Sequence, residues 1–275
     1  MGGRGLTMKC RSLLLVVYLI EFSSGTNRPI IGILSQETGA SINKIFPGHQ
    51  SYIAASYVKA VEASGARVVP VFINRTRQYY RDIVEGVNGL LFPGGSTWFY
   101  NSWGYADAGQ YLLEEAKAVN RNGSHFPVLG ICLGMELLLF LENGRQEYRA
   151  DCSVKNVSLP LHLTPSAYSF SNASSPLIQI LSTQNATYNQ HQFCVTEKNL
   201  SWTGLSEKWK VLSTNVDEKL GLEFISWLVS EEFPFAGVQF HPEKNAYEWR
   251  GDLRINHSPD AIRASRLFTD WLVSQ

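Results

Sequence analysis

The chain has 275 residues, 44% of them hydrophobic, with 24 basic and 24 acidic side chains and a formal net charge of zero. That is enough apolar material for one large core, and one domain is expected. No basic run and no interleaving of aromatic with basic residues points to nucleic acid or anionic membrane, and Cys-X-X-Cys, His-Glu-X-X-His and glycine-rich phosphate loops are absent, so no metal or cofactor is expected and the chemistry falls to side chains.

In chain order, Arg4, Lys9 and Arg11 precede the apolar run 13–20, and Ser23-Ser24-Gly25 supplies small residues at cleavage distance. Residues 1–25 read as a signal peptide, the run being too short for a stable anchor, and 26–275 as one mature domain with no membrane span. Seven Asn-X-Ser/Thr sequons, at Asn74, Asn122, Asn156, Asn172, Asn185, Asn199 and Asn256, fit a glycosylated secretory-pathway protein.

Short β-branched runs alternating with helical periodicity predict an α/β sheet. Strands are expected at 29–34, 67–73, 89–92 and 128–131, the last of them central. Helices are expected around Tyr57 and Val61 with Gly65 as the residue beyond the cap, then over 76–85, 107–120 and from Met135 onward. Between Cys152 and Thr214 apolar runs shorten and helices are expected to be few. A hairpin over 209–214 and 222–227, a strand over 235–240 and a helix over 261–273 complete the reading.

Three motifs carry the chemistry. Gly130-Ile131-Cys132-Leu133-Gly134 sets a cysteine between glycines where a strand turns into a helix, a nucleophile elbow with sulfur as nucleophile. The helix start is expected to lower the thiol pKa and to offer N–H groups to an oxyanion. In His241-Pro242-Glu243-Lys244, a histidine and a carboxylate two positions apart share a face if the chain is extended, so Glu243 can orient the imidazole while its other nitrogen meets Cys132. Leu90-Leu91-Phe92-Pro93-Gly94-Gly95 runs a strand into a glycine turn whose N–H groups can join that of Leu133 in an oxyanion hole. Of the other cysteines, Cys10 falls in the signal peptide; Cys152 and Cys194 either pair or stay as buried thiols.

In this order and spacing the three motifs resemble the class I glutamine amidotransferases, whose catalytic set is Cys-His-Glu. The segments 52–59, 65–71 and His241-Pro242-Glu243-Lys244 with Tyr247-Glu248-Trp249 are similar to the γ-glutamyl hydrolases in particular. The resemblance implies a flavodoxin-like, mixed and largely parallel sheet, and cysteine-type omega-peptidase hydrolysis of folylpoly-γ-glutamates through a γ-glutamyl thioester on Cys132. It further implies a lysosomal and extracellular location and a homodimer. His241 and Glu243 complete the catalytic set, and Leu133 and Gly95 form the oxyanion hole. Tyr52, Gly94, Glu136 and His191 are substrate-binding candidates. Tyr52 reads equally as a core aromatic, Glu136 as an ordinary first-turn glutamate and His191 as a packed core residue. Glu136 replaces the glutamine of synthetase-linked relatives, and Phe240 stands where better-known hydrolases have tryptophan. Lys244 and Arg250 are the cations nearest the histidine, as ligands for substrate carboxylates or as solvated surface charge. A glutaminase serving a synthetase and a secreted binding protein without turnover are the alternative functions.

Overall fold

The structure, a computed structural model, describes residues 26–170 and 175–275; the expected signal peptide and the Asn172 sequon lie outside them. Runs of four or five residues, nearly all buried, make the interior strands β1 (Ile30–Leu34), β5 (Gly89–Phe92) and β6 (Val128–Ile131) of the main sheet; between β1 and β5 come the short β2 (Gln36–Glu37) and β3 (Ser51–Tyr52) and the more exposed edge strand β4 (Arg67–Val71). Intervening helices are α1 (Ala40–Ile45), α2 (Ala55–Ala63), α3 (Arg77–Gly86) and α4 (Tyr105–Arg121), and α5 (Leu133–Glu142) follows β6 at once. Capping explains the boundaries. Thr76 accepts from the N–H of Tyr79 at the start of α3, and Gly65, at φ 99°, takes the left-handed conformation that releases the chain from α2.

The second half holds β7 (Ala150–Leu159), β8 (His162–Leu163), α6 (Pro165–Phe170), α7 (Pro176–Thr183), β9 (Thr187–Cys194) and α8 (Glu197–Trp202). After it come β10 (Trp209–Asp217), β11 (Leu222–Ser230), β12 (Phe235–Val238), α9 (Lys244–Tyr247) and α10 (Pro259–Ser274). The expectation of few helices between Cys152 and Thr214 is corrected here: α6, α7 and α8 all lie in it. Each has only six to eight residues, two turns at most, too short for a 3.6-residue periodicity to register.

The main sheet runs β4-β1-β5-β6-β12-β11-β10-β8. Neighbours from β4 to β12 are parallel, and β11, β10 and β8 extend the sheet antiparallel, giving the mixed, largely parallel α/β architecture expected. Strand alternation divides the core. Leu90 and Phe92 point into a cluster shared with α3, α4 and α5, while Leu91 points into one shared with α2 and α10. The chain winds from β1 out to β4, then back past β1 to β5. The β1/β5 boundary is therefore a topological switch point, and crevices form outside the carboxyl ends of the strands there. β7 and β9 form a separate two-stranded sheet, stapled by a disulfide between Cys152 and Cys194.

Candidate active site

The segments that follow the carboxyl ends of β5, β6 and β12 each deliver a piece of one cleft of about 420 Å³. β6 leads directly into Cys132, the N-cap of α5, which adopts φ 53° and ψ −111°, a conformation that only surrounding structure can impose on a side-chain-bearing residue. Its N–H donates to the carbonyl of Val238 at 2.7 Å, tying the elbow to β12. Close packing explains the flanking glycines. A Cβ at Gly130 would sit 2.6 Å from the carbonyl oxygen of Gly134, and one at Gly134 would collide with the carbonyl of Phe92. Leu133, first in α5, has no preceding turn to satisfy its N–H, which points toward the Cys132 sulfur.

β12 ends at Val238 rather than Phe240, and the chain turns, so His241 and Glu243 do not share an extended strand as the sequence reading expected. Glu243 has helical angles at the cap of α9, and the Lys244 N–H reaches back to the His241 carbonyl at 3.3 Å. The turn still joins the pair, with His241 Nδ1 and Glu243 Oε1 at 2.8 Å, the tautomer that leaves Nε2 its lone pair. Burial opposes the charge on Glu243, but the imidazole, its hydrogen bond and Lys244 at 3.8 Å together hold this carboxyl below its ordinary pKa. The His241 N–H donates to the carbonyl of Tyr188 at 2.8 Å, so β9 braces the histidine from behind.

Gly94 lies where these groups converge. A Cβ there would stand 2.7 Å from the His241 ring and 3.0 Å from the Cys132 Cβ. Its N–H is already taken by the Tyr57 hydroxyl at 2.9 Å, whereas that of Gly95 has no protein partner among the described residues. The turn is held from below by Gln36, whose Nε2 donates to the carbonyls of Pro93 (2.8 Å) and Gly94 (3.1 Å) and whose amide fills the space a Gly95 Cβ would need.

The expected lowering of the thiol pKa is corrected. Burial first, then the charges of Glu136 and Glu243, push the Cys132 thiol well above its ordinary value, and the Leu133 N–H and Lys244 only partly oppose them. Glu136 is buried on the cleft wall, with Oε2 accepting from Arg149 (2.8 Å) and Oε1 from Gln239 (3.0 Å). Burial raises its pKa despite those two donors. Arg149 also grips Glu147 through two nitrogens and lies between the rings of Phe99 and Phe193, each 4.6 Å from its Cζ.

His191 also reaches the cleft, with its Nδ1 3.0 Å from the Phe193 carbonyl and its Nε2 3.2 Å from Asn189 Oδ1, two acceptors of which a neutral imidazole donates to one. Burial depresses its pKa to about 3, so it is neutral across the physiological range. Both disulfide sulfurs approach its Nδ1, at 3.4 and 3.5 Å; this is the one group of possible metal ligands among the described residues, and its sulfurs are bonded to each other. The question left open for Cys152 and Cys194 is thus resolved in favour of pairing. Tyr52 lines the cleft from β3, before α2 begins, and is not part of a helical face. Lys244 lines it too, whereas Arg250 is exposed and paired with Asp252 away from it. Of the sequons, Asn74, Asn122 and Asn185 are exposed; Asn156, Asn199 and Asn256 are half-buried. Four contributors were missed. Tyr57 was read as one apolar position of a helix and Gln239 as an ordinary residue of the strand before His241, while Gln36 and Arg149 carry no motif, because only long-range approach brings Gln36 under the glycine turn and Arg149 to Glu136.

A cysteine on a strained elbow, facing a histidine held by a carboxylate at the switch point of a doubly wound sheet, defines a cysteine-nucleophile hydrolase. The family model described as Peptidase C26 matches residues 29–243. The chain is 36% identical to the γ-glutamyl hydrolase of Mus musculus over 92% of this chain and 79% of that protein. It is 36% identical to that of Homo sapiens, over 90% and 77% respectively, and 33% identical to γ-glutamyl hydrolase B of Dictyostelium discoideum, over 98% and 79%. The chain belongs to the Peptidase C26 family. Among solved structures, the glutaminase domain of a Trypanosoma brucei CTPS aligns over 78% of this chain and 86% of that one, at 14% identity and TM-score 0.46.

Proposed function

We propose that this protein is a cysteine-dependent γ-glutamyl hydrolase acting on folylpoly-γ-glutamates, releasing glutamate or short poly-γ-glutamates and shorter folates. The observation that carries this reading is the meeting of Cys132, His241 and Gly94 in one cleft, with Glu243 on the far nitrogen of the imidazole. Because burial keeps the thiol protonated at rest, His241 Nε2 takes the proton as the sulfur attacks the γ-carbonyl carbon. The oxyanion receives the N–H groups of Leu133 and Gly95. The imidazolium, stabilised by Glu243, protonates the departing nitrogen as the C–N bond breaks, leaving a γ-glutamyl thioester. Neutral His241 then takes a proton from water, whose oxygen attacks the thioester and releases the acid and the thiol. Tyr52 and Glu136 on the cleft wall suit contact with the glutamyl group, and neutral, buried His191 suits a positioning role. The positively charged n-region, apolar run and sequons support entry into the secretory pathway as a glycosylated protein, and the resemblance to γ-glutamyl hydrolases alone supports a lysosomal and extracellular destination and a homodimer.

The test is incubation of the purified protein and its Cys132→Ala variant with a pteroylpentaglutamate and, separately, free glutamine, products being resolved by mass. Shortened pteroylglutamates from the wild type alone are expected. Ammonia from glutamine without chain shortening would replace this reading with a glutaminase, and turnover of neither substrate would replace it with a binding protein.

A further inference from the structure

The loop over 93–104 leaves β5, forms the glycine turn and ends at α4. Alternate residues along it are anchored. Thr97 Oγ1 donates to Glu37 Oε2 at 2.6 Å, and the Glu37 carboxylate also accepts from the Tyr105 N–H at 3.1 Å. Phe99 is 1% exposed, its ring 4.8 Å from that of Phe140 and under the Arg149 guanidinium. With both neighbours fixed inward, Trp98 is forced outward. It is 61% exposed, its indole has no partner among the described residues, and it forms part of the wall of the catalytic cleft. A large flat apolar ring held in water by a pinned backbone, at the lip of a cleft, is an arrangement that a ligand ring can relieve by stacking.

The spacing limits which part of the substrate can arrive there. Trp98 lies three positions after Gly95, a reach of at most about 10 Å from its N–H. In a γ-linked donor glutamate, the reacting carbonyl carbon and the α-nitrogen are four bonds apart, roughly 5 Å, and the group acylating that nitrogen begins one bond further on. We propose that Trp98 forms an aromatic subsite for the ring of an N-acyl cap on the donor glutamate, as the 4-aminobenzoyl end of a folate presents. This rests on the γ-glutamyl hydrolase reading. It assigns to Trp98 a recognition of the aromatic end that the catalytic groups, which see only the glutamyl unit, do not supply.

The test compares two γ-linked diglutamates, one capped on nitrogen by 4-aminobenzoyl and the other by acetyl, with the same scissile bond. Stacking of this kind is worth about three- to tenfold in affinity, so the wild type should show a KM lower by about that factor for the aromatic cap. Trp98→Ala should bring the two KM values within about twofold of each other, and Trp98→Phe should keep most of the difference. Trp103→Ala, removing an exposed tryptophan of the same loop outside the cleft, should leave the wild-type ratio. A Trp98→Ala enzyme that retains the wild-type ratio, or a wild type that cleaves both without preference, overturns the subsite alone. A wild type that cleaves neither overturns the hydrolase reading and the subsite with it.

Discussion

Cys132 stands under opposed influences. The start of α5 and the Leu133 N–H favour a thiolate, as the elbow motif suggests, but burial and two carboxylates outweigh them. Of the two carboxylates Glu136, one turn along the same helix, has the larger influence. Replacing it by glutamine removes a negative charge while preserving shape, and Arg149 keeps its two bonds to Glu147. Glu136→Gln should therefore lower the thiol pKa and speed alkylation by iodoacetamide at pH 7.5 by about tenfold, the change that one pKa unit brings while the thiolate is the minor form. Peptide mapping of the modified cysteine gives the rate. An unchanged or slower rate would mean that the Glu136 carboxylate has no electrostatic hold on the nucleophile.

The elbow was legible because its requirements are local: a short buried strand, a tight turn and glycines where a helix backbone meets a neighbouring strand. The His241–Glu243 contact was also legible, though for the wrong reason, since a turn at the cap of α9 makes it and not an extended strand. The β7/β9 sheet was not. Its strands are separated by β8, α6 and α7, and nothing local in segments so rich in polar residues announces a partner so far along the chain. The disulfide closes that separation of 42 residues. By chain-entropy reasoning it contributes roughly 4 kcal/mol, or about 10 °C in Tm for a chain of this size. In a Cys132→Ala background, which removes the free thiol, treatment with a phosphine reductant should lower Tm by about that amount and mimic the Cys152→Ser, Cys194→Ser pair. Identical Tm values with and without reductant would show that the staple does not form or does not matter. Because β9 also carries His191 and accepts the His241 N–H at Tyr188, the reduced wild type should lose kcat as well.

At the scale of the molecule, three parallel strands and a separate sheet converge on one cleft, and desolvated ionisable groups come with that convergence. Their linkage to folding has opposite signs. His191 has its pKa lowered from 6.5 to about 3, so between those values the unfolded chain binds a proton that the native chain refuses; this contribution is complete above pH 6.5 and fades as pH falls toward 3. Glu136 has its pKa raised from 4.5, so the native chain holds a proton more firmly, and its burial penalty accrues as pH rises above 4.5. Acidification from pH 7 to 4.5 thus removes stability at His191 while relieving strain at Glu136, and a protein proposed for an acidic compartment is buffered between them. His191→Gln should remove the first effect and shrink the fall in Tm between pH 7 and pH 4.5 by roughly 5–10 °C, about two pKa units of linkage in a domain of this length. Glu136→Gln should remove the second and steepen the same fall. The slope, not the absolute Tm, is the quantity to compare, because either substitution also alters packing. Parallel slopes in all three proteins would mean that neither group titrates differently in the native and unfolded chains.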